Sequence, residues 1–449
     1  MKLANGQSEI DTVVLRLPDY GREIKNWSRY QFTQTFLVPT SSWSFTVSDE
    51  DTTLSSDMLV PEARVELVIN DHVQCSGYID RTSEESSGDG GTVITIQGRD
   101  ILGPVVRATM DPIFKFAAGV SVPELVATVL RPFGITTIYN ADLYNLAVIS
   151  GYEKGSPGAG TTTIKARVQK STPNKDGTVT LSYDSVDSTM VTSTQRPDLK
   201  ALTVQDAKPH AGEGCYAYLD RLLRRLGLTL WAAADGSGVV IDKADFTSAP
   251  AAKLTHKRTD PSQNNVTHSR VDKDWTSQPS CIVATGFGGG KDVEKSRLRV
   301  IMVNELVGLD ADGQPLPEVQ AILARYKSAK VLTVRPELAP FARPLGDQKI
   351  ARPFFLKDDE SKNLAQLEAF TRREMATRQA HALQANYDVV GHTFNGHPWA
   401  VNTSVAVEDE VHGLTQTLWV LEKTFTKTRQ GGTTSSLKLI LPYALQIAS

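Results

Sequence analysis

Residues 63–107 carry a strand pattern that constrains the fold of this chain more than any other stretch. Apolar residues recur at alternate positions around two turns, Asn70–Asp71 and Gly88–Gly91. Alternation with a period of two is typical of half-buried strands, and turn residues of this kind join antiparallel neighbours. The stretch therefore predicts a three-strand meander, with strands at Val65, Leu67 and Ile69, then Val73–Asp80, then Thr92, Ile94 and Ile96.

The same order of short strand, turn, long strand, glycine turn and strand recurs near the C-terminus. Its parts are the alternating Trp399, Val401, Val405 and Val407, the turn Asp409–Gly413, the long strand Leu414–Thr428, the turn Gly431–Gly432, and Leu437–Leu441. Two copies of one β module in one chain are the main sequence clue to its function.

The region before the first meander also has the pattern of β structure. Three further runs, Thr12–Leu17, Arg29–Val38 and Trp43–Val47, alternate in the same way. Together with the meander they predict about six strands within residues 1–110. That number suits a small barrel or sandwich rather than an open sheet.

The middle of the chain changes to a helical period. Apolar residues recur at helical spacing in Val122–Val129 and again in Gly214–Gly227, so each segment predicts a helix. The runs Thr229–Ala232 and Val239–Asp242, turned at Asp235–Gly236, predict a strand pair. These elements indicate an α+β middle region.

Between the two predicted helices lies Gly151–Pro197, which is rich in Gly, Ser, Thr and Lys. Alternating runs such as TTTIKARVQ and GTVTLSYDS argue against pure disorder, so we expect an inserted, exposed β excursion. Because loop-closure entropy grows slowly with length, replacing Ser156–Ser193 by a short Gly-Ser linker is expected to preserve the fold.

Further along the chain, Asn264–Phe287 predicts strand and Pro315–Lys330 a polar amphipathic helix. The longest predicted helix runs from Asp358 to about Ala385. Its cap is expected at Asp359 or Ser361, and its apolar side carries the following residues: Leu364, Leu367 and Phe370.

The charge balance argues against partners bound by a global electrostatic field. The 449 residues include 48 Lys plus Arg and 51 Asp plus Glu, which gives a net charge of −3. Such a chain attracts neither nucleic acid nor an acidic membrane as a whole, so sequence-specific nucleic-acid binding is not expected. Locally, Arg221, Arg224 and Arg225 could bind an acidic partner, but a solvated cationic face is the interpretation we favour.

Cysteine usage and hydropathy indicate a protein folded in a reducing compartment. Cys75, Cys215 and Cys281 are widely spaced and form no CxxC pair, so we interpret them as small buried hydrophobes. No signal-peptide core is present, and no stretch approaches the ~20 apolar residues of a membrane span. We expect synthesis and folding in a cytoplasm, with no membrane anchor.

A search for glycine-rich cofactor motifs is negative. Gly286–Asp292 resembles a phosphate-binding loop, but Thr285 occupies the position of the first glycine and Asp292 replaces the hydroxyl that would hold Mg²⁺. The glycines at Gly158 and Gly212 lack the dinucleotide-binding pattern and predict turns. There is also no GxSxG, HExxH or EF-hand motif.

The titratable residues also show no sequence pattern that indicates a functional site. His392 and His397, with Asp388 upstream, flank a turn, but five-residue spacing across a hairpin does not by itself bring two imidazoles together, so surface or turn histidines are favoured. Glu84–Glu85 and Asp358–Asp359 are interpreted as solvated loop charges. We therefore predict no catalytic, cofactor-binding or metal-binding residue.

Several segments resemble one known family in the same order along the chain. They are SRYQFTQTFLVPTSSWSFTVSDE, RVELVINDHVQCSGYIDR, TVITIQGRDILGPVVRATM, VPELVATVLRPFGI, GEGCYAYLDRLLRRLGLTLWAAADGSGVVI, NNVTHSRVDKDWTSQPSCIVATGF and WVLEKTFTKTRQGGTTSSLKLILP. The chain resembles contractile phage tail baseplate hub proteins, the Mu-type and late-control protein D-like hubs. Only Gly151–Pro197 and Val300–Pro353 fall outside the resemblance, whose motifs are structural patterns rather than catalytic signatures.

The resemblance implies an α+β, mainly β fold with two tube-like β-barrel domains flanking an α+β middle region. The expected domains are residues 1–110, the first tube-like barrel; 111–260, the middle domain with its insertion at about 151–197; 261–300, strands joining the second barrel; 301–385, a helical and Pro-rich connection; and 386–449, the second tube-like barrel. Three subunits would then present six such domains.

The resemblance further implies a structural baseplate hub rather than an enzyme. Such a hub is a homotrimeric adaptor that matches the sixfold tail tube to the threefold central spike and forms the channel for tape measure and DNA exit. The expected partners are the central spike protein, the tail tube or distal tube protein, the tape measure protein and baseplate wedge proteins. The chain ends at Ser449 after its second module, so the spike is expected on a separate polypeptide. Its expected location is the virion tail baseplate, after assembly in the host bacterial cytoplasm.

Two alternative functions stay open from the sequence. One is a baseplate-associated cell-wall hydrolase, which would need an acidic pair and a helical domain for which no free segment is large enough. The other is a carbohydrate-binding β-sandwich protein, which explains neither the repeated module nor the long helix.

Overall fold

Strands form most of the regular structure of the chain, which is mainly β with large antiparallel sheets. The computed structural model describes residues 11–48, 58–87, 91–114, 120–140, 159–173, 179–193, 203–204, 208–246, 248–274, 276, 278–287, 297–310, 312–334, 351–358, 361, 363–380, 382–428 and 432–442. No described helix is both long enough and apolar enough to cross a bilayer.

Two compact units divide the chain. Unit 1 comprises Met1–Lys243, Val389–Val401 and Glu422–Ser436. Unit 2 comprises Ala244–Asp388, Asn402–Leu421 and Leu437–Ser449. Each unit is described below by itself.

The strands of the first half of the chain are β1 (Val13–Leu17), β2 (Arg22–Ile24), β3 (Trp27–Thr35), β4 (Ser42–Ser48), β5 (Arg64–Ile69), β6 (His72–Ser87), β7 (Gly91–Asp100), β8 (Val120–Ser121), β9 (Thr137–Asn140), β10 (Ala159–Pro173), β11 (Val179–Ser193), β12 (Thr203–Val204), β13 (Thr229–Ala232) and β14 (Val239–Asp242). Its helices are α1 (Gly103–Arg107), α2 (Val122–Leu130) and α3 (Cys215–Arg225).

The second half contains β15 (Ala252–His256), β16 (Val266–Lys273), β17 (Cys281–Phe287), β18 (Arg297–Asn304), β19 (Lys330–Val334), β20 (Pro353–Asp358), β21 (Leu383–Val390), β22 (Thr393–Phe394), β23 (His397–Pro398), β24 (Ser404–Asp409), β25 (Leu414–Thr428) and β26 (Gly432–Ile440). Its helices are α4 (Glu305–Gly308), α5 (Pro317–Arg325) and α6 (Leu364–Ala380).

The main sheet of unit 1 confirms the predicted first meander. Strands β5, β6 and β7 pair antiparallel, and the sheet continues in the order β25-β3-β4-β7-β6-β5-β1-β2, with β25 contributing Glu422–Thr428. Asn70 and Asp71 both have positive φ, 48° and 64°, as the turn between β5 and β6 requires. The strand pairs among the described residues do not close into a barrel.

The sequence prediction missed one strand of this region, β2. It has three residues, REI, of which only Ile24 is buried, so it is too short to display an alternation. The glycine turn predicted at Gly88–Gly91 falls largely outside the described residues.

Two glycines are required in the paired strands β6 and β7, where neighbouring atoms leave no room for a Cβ. A Cβ added at Gly77 would lie 1.9 Å from the carbonyl oxygen of Arg99. A Cβ added at Gly98 would lie 2.2 Å from Cζ2 of Trp43, whose indole ring covers that glycine. Backbone atoms cannot yield as a flexible side chain does, so Gly77 in particular has no tolerated substitute.

We therefore expect Gly77→Ala to destabilise the protein by about 3 kcal/mol, because the new methyl group must push strands β6 and β7 apart. Gly214→Ala is the matched control, since its nearest neighbour would be 3.6 Å away and its φ is −66°. That control should cost less than about 1 kcal/mol. Chemical unfolding of both variants makes the comparison, and equal losses would contradict this account of Gly77.

The middle part of unit 1 confirms both predicted helices and the predicted hairpin. Ser121 and Glu124 form a capping box at the start of α2, with side chain and backbone bonded reciprocally. Strands β13 and β14 pair with Trp231 opposite Val240. One apolar core joins these elements through the following buried residues: Val122, Leu125, Val126, Leu130, Tyr218, Leu219, Leu222, Leu230 and Ile241.

The insertion forms a β-hairpin, β10 paired with β11, as its alternation predicts. It is not wholly peripheral, however, because β11 pairs in parallel with β9 through Thr189, Met190 and Val191. Arg131 also donates a hydrogen bond to the carbonyl oxygen of Asp187. The expectation that Ser156–Ser193 can be replaced without loss therefore needs correction at the base of the hairpin, where removal of β11 would expose an edge of β9.

Unit 2 contains a four-stranded sheet in the order β19-β18-β17-β20. On one side, α5 packs on the sheet through Val319 and Ile322. Helix α6 packs on other sheet residues through Leu367 and Met375. The predicted strand Asn264–Phe287 is observed as β16 and β17.

The helix bounds in unit 2 differ from the prediction. Helix α5 ends at Arg325, and by Lys330 the chain has entered β19 rather than continuing the helix. Helix α6 is shorter at both ends than Asp358–Ala385, since Leu383 already belongs to a strand. Its N-terminus is capped by Asn363, whose Oδ1 accepts the backbone N–H of Gln366, and not by Ser361. Leu364 is 37% exposed, whereas Leu367 is fully buried as predicted.

The C-terminal meander is observed as β24, β25 and β26, neighbours in that order. Its strands have 6, 15 and 9 residues, against 6, 16 and 10 residues in β5, β6 and β7. The turn before β25 ends at Gly413, whose φ is 68°. The predicted start at Trp399 is too early, because β24 begins at Ser404.

Candidate functional site

One face of the main sheet in unit 1 is polar across four neighbouring strands. The strand register sets its side chains in two rows, one of Thr426, Gln31, Ser44 and Gln97 and the next of Thr424, Thr33, Ser42 and Arg99. Seven of these eight residues carry a hydroxyl or amide group, and Arg99 is the single ionised one. We refer to these eight residues as the polar face; it can form hydrogen bonds but carries almost no charge.

A groove of about 520 Å³ adjoins the polar face. It is lined by Gln31, Ser42, Trp43, Ser44, Asp80, Arg81, Gln97, Gly98, Arg99 and Arg107. Asp80 is the one carboxylate among these lining residues. Its oxygens lie 3.1 Å from Nε of Arg99 and 2.7 Å from Nη2 of Arg107, so the carboxylate forms ion pairs with two guanidinium groups.

The opposite face of the same strands is buried and holds a histidine network. Nδ1 of His392 lies 3.0 Å from Oγ of Ser435, and its Nε2 meets the hydroxyl of Tyr30. The backbone N–H of His392 donates to Oδ2 of Asp11 at 2.6 Å. Asp11 in turn accepts a hydrogen bond from Nδ2 of Asn70 at 2.6 Å, so five separate chain segments meet here.

The donors and acceptors of this network define the form of the imidazole. The Ser435 hydroxyl donates to the carbonyl oxygen of Gly391 at 2.7 Å, so its oxygen accepts the proton on Nδ1 of His392. Nε2 is then the acceptor for the Tyr30 hydroxyl. Burial, with a smaller effect from Lys427 and Lys423, lowers the pKa of His392 to about 3, so the ring is neutral.

A lysine is buried beside this network. Nζ of Lys423 donates to the carbonyl oxygen of Trp399 at 2.8 Å and to Oε1 of Gln74 at 3.1 Å. The rings of Phe425 and Phe32 lie 4.9 Å and 5.6 Å from the same nitrogen. Burial lowers the pKa of Lys423 to about 7, because no carboxylate is among these contacts. A neutral amine has two N–H donors, and both are matched by these two acceptors.

The predicted surface position of His392 is wrong. We expected a surface or turn histidine, whereas His392 is fully buried and bonded to Tyr30 and Ser435. His397 is exposed on the short hairpin β22–β23, as predicted. The sequence signal for the burial of His392 was absent, because its partners lie more than 40 residues away.

The other candidates from the sequence are placed as follows. Arg221 is bonded to Glu213 and Arg224 to Asp220, so these two arginines are paired within the chain. Glu84 and Glu85 are exposed, as predicted, but they lie in strand β6 and not in a loop. Gly212 has a φ of 74° in a turn, as predicted.

The remaining predictions, on Gly158, Asp292 and Asp359, lie outside the described residues. All three cysteines are buried free thiols, as predicted.

Unit 2 holds a cluster that the sequence analysis missed. His256, Asp409 and His412 each offer a ligand atom, and these atoms lie within 4.8 Å of one another. Burial raises the pKa of Asp409, but hydrogen bonds from His412 and Tyr387 outweigh it and keep that pKa below its ordinary value. His256 and Asp409 are 153 positions apart, which conceals the cluster in the sequence, and only the DxxH spacing of Asp409 to His412 is local.

Comparison with known proteins gives a family match to one segment and a shared fold along the chain. Residues 13–100 match the family model for the N-terminal domain of Mu phage baseplate assembly protein GpP-like proteins. The tail protein from Neisseria meningitidis MC58 is 19% identical, with a TM-score of 0.64 over 97% of this chain and 99% of that chain. The 43 kDa tail protein of prophage MuSo2 from Shewanella oneidensis is 16% identical, with a TM-score of 0.61 over 97% and 100%. No curated protein sequence matches the chain significantly.

These likenesses concern the fold of the chain and one N-terminal segment. At such identities the two solved structures show a shared fold along nearly the whole chain, and the family match covers its N-terminal domain. The likeness is therefore one of fold, together with the match of residues 13–100 to that family model.

Proposed function

We propose that this protein is the baseplate hub of a contractile tail. In this role three copies match a sixfold tail tube to a threefold central spike and surround the channel through which the tape measure protein and DNA leave. The observation that carries the proposal is the pair of meanders with nearly equal strand lengths, 6, 16 and 10 residues against 6, 15 and 9. A chain with two copies of one module can present two similar surfaces to a ring.

The proposal assigns the two meanders to two tube-like domains, at residues 1–110 and 386–449. Three subunits then supply six such domains, which is the number that a hexameric tube requires. Open sheet edges favour this use, because unpaired strand groups invite packing against a neighbouring subunit. The partners are the central spike, the tail tube or distal tube protein, the tape measure protein and the wedge proteins of the baseplate.

The polar face is our candidate for the channel wall. Backbone phosphates are held by Lys and Arg, so a wall along which DNA moves must carry few of them. Gln31, Ser44 and Gln97 offer hydrogen bonds without charge, and Arg99 is paired with Asp80. A surface of this chemistry lets DNA pass without retaining it.

The groove beside the polar face argues against the hydrolase alternative. Glycoside hydrolysis uses two carboxyl groups set about 5 to 10 Å apart across the substrate. Among the groove residues Asp80 is the single carboxylate, and it is bonded to Arg99 and Arg107. We therefore propose a structural role without catalysis.

Cryo-electron microscopy of the chain assembled with its spike, or of intact tails, tests the proposal. We expect three copies per ring, two superposable domains per copy, and Gln31, Ser44 and Gln97 directed at the central axis. Hub contacts of this kind usually bury more than about 2,000 Å² each, so the trimer should survive dilution. Six copies per ring, or meanders that do not superpose, would overturn the proposal.

A further inference from the structure

We propose that His256, Asp409 and His412 form a binding site for a divalent transition-metal ion, with Zn²⁺ as the ion it fits best. The site lies within unit 2 and is independent of the hub role. Two imidazoles and one carboxylate are a ligand set that Zn²⁺ accepts readily. Two of the ligands come from neighbouring strands and the third from a turn.

The fold places the first two ligands directly opposite each other. Strands β15 and β24 pair in parallel, and the register sets His256 against Asp409 at the last position of each strand. Glu410 strengthens this junction, because its backbone N–H donates to the carbonyl oxygen of His256 at 2.9 Å. The two strand ends are therefore held in place before any ion binds.

The third ligand is positioned by the carboxylate itself. Oδ1 of Asp409 accepts the backbone N–H groups of Val411 at 2.9 Å and His412 at 3.1 Å, which folds the turn back over the strand end. Nδ1 of His412 then lies 2.7 Å from Oδ2. The same Oδ2 accepts the hydroxyl of Tyr387 at 2.9 Å, so the carboxylate orientation is maintained from a third strand.

The two imidazole–carboxylate distances are close to those around a small tetrahedral ion, and the three ligand atoms lie within 4.8 Å of one another. Ligand atoms about 2.0–2.1 Å from tetrahedral Zn²⁺ are about 3.3 Å from one another. Nδ1 of His256 lies 3.3 Å from Oδ1 of Asp409, which already matches that separation. Nδ1 of His412, at 2.7 Å from Oδ2, has to move outward by roughly 0.6 Å, which a side chain on a turn can do.

The solvent exposure of the three side chains also fits a metal site. Asp409 is fully buried, whereas the side chains of His256 and His412 are 21% and 28% exposed. An ion can therefore reach the imidazoles from solvent while the carboxylate stays anchored. Oγ of Ser269, 3.0 Å from Nδ1 of His256, or a water molecule can occupy the remaining position.

A cluster held by hydrogen bonds alone is the competing account, since His256 Nδ1 lies 3.0 Å from Ser269 Oγ and His412 Nδ1 2.7 Å from Asp409 Oδ2; the metal titration below distinguishes the two. Oδ1 of Asp409 already has two backbone donors, and His256 at 3.3 Å is too distant to add a strong third bond. Both imidazoles nevertheless direct the same nitrogen, Nδ1, at one carboxylate. An ion between them satisfies all three groups.

The test uses the full chain, purified without a histidine tag and dialysed against EDTA. Isothermal titration with ZnCl₂ should give about one ion per chain, and Co²⁺ should give the visible absorption of a tetrahedral site. Zn²⁺ should also raise the unfolding temperature of the wild type. His256→Ala and His412→Ala should each weaken Zn²⁺ binding by at least about 10- to 100-fold.

His268→Ala is the matched control, because His268 is an exposed histidine on β16 outside the cluster. It should bind Zn²⁺ as the wild type does. Circular dichroism without metal should show all three variants folded, and a Gln substitution at the same position replaces any alanine variant that is not. The proposal is overturned if the wild type binds no Zn²⁺, or if His256→Ala and His412→Ala bind it as tightly as His268→Ala.

Discussion

Replacing Lys423 with Met is expected to remove a rise in stability of about 2 kcal/mol that the wild type shows between pH 7 and pH 9. Lys423 is 4% exposed, and its buried nitrogen contacts two neutral acceptors, on Trp399 and Gln74. The effect is large because a charged ammonium is poorly accommodated there, whereas the neutral amine is well accommodated.

The direction of this pH effect follows from the protonation equilibria of Lys423 in the folded and the unfolded chain. The folded protein releases the Lys423 proton at about pH 7, whereas the unfolded chain releases it near pH 10.5. Between these values the unfolded chain binds more protons, so raising the pH favours the folded state, by about 1.4 kcal/mol per pH unit. The rings of Phe32 and Phe425 favour the charged form, but a cation–π contact contributes only about 1–2 kcal/mol and does not offset burial.

Chemical unfolding at pH 7, 8 and 9 measures this effect as a difference between wild type and Lys423→Met. Titratable groups remote from Lys423 contribute equally to both proteins and cancel. Lys427→Met, four residues along the same strand and half-buried, serves as the control and should keep the wild-type slope. A Lys423→Met variant with that same slope would show that Lys423 does not titrate in this range.

His392→Ala is expected to lower the free energy of unfolding at pH 7 by about 4 kcal/mol. The substitution leaves a cavity beside Phe425, whose ring centroid lies 4.6 Å from that of His392. It also leaves the buried hydroxyl groups of Tyr30 and Ser435 without their imidazole partner. Tyr30→Phe, which deletes one donor but keeps the ring, should cost about 1–2 kcal/mol.

The pH dependence of the same variant is a second readout. The folded-state pKa of His392, about 3, is depressed below the unfolded value of 6.5, so the wild type loses stability as pH falls from 6.5 towards 3. The difference between wild type and His392→Ala should therefore shrink over that interval. His397→Ala is the control, since that histidine is exposed, and it should stay within about 0.5 kcal/mol of wild type. Equal losses in His392→Ala and His397→Ala would contradict the structural role of the network.

Both predictions concern the layer beneath the polar face. Lys423 and His392 lie on the buried side of strands whose other side presents Gln31, Ser44 and Thr426. Because successive residues of a strand point to opposite faces, these buried groups hold the register that aligns the polar rows. A loss of register by one residue would exchange the two faces.

Much of the local structure was determined by the sequence alone. Alternation predicted β5, β7 and β25, and helical spacing predicted α2 and α3, because a period of two or 3.6 is a property of neighbouring residues. The turn at Asn70–Asp71 could also be predicted from the sequence, since few residues other than Gly, Asn and Asp adopt positive φ. The weak point was element ends, as at α5 and α6, where helix propensity continues past the point at which tertiary packing ends the helix.

The sites, by contrast, were decided by tertiary structure. His392 was interpreted as a turn histidine because its neighbours in sequence form a turn, yet Tyr30 and Ser435 bury it from 362 and 43 residues away. Lys423 lies within the predicted strand Leu414–Thr428, and no sequence pattern indicated that its side chain would be buried. His256 meets Asp409 only because β15 pairs with β24. Periodicity reports which residues share a face, but the strand order that brings distant faces together arises from the packing of the whole chain.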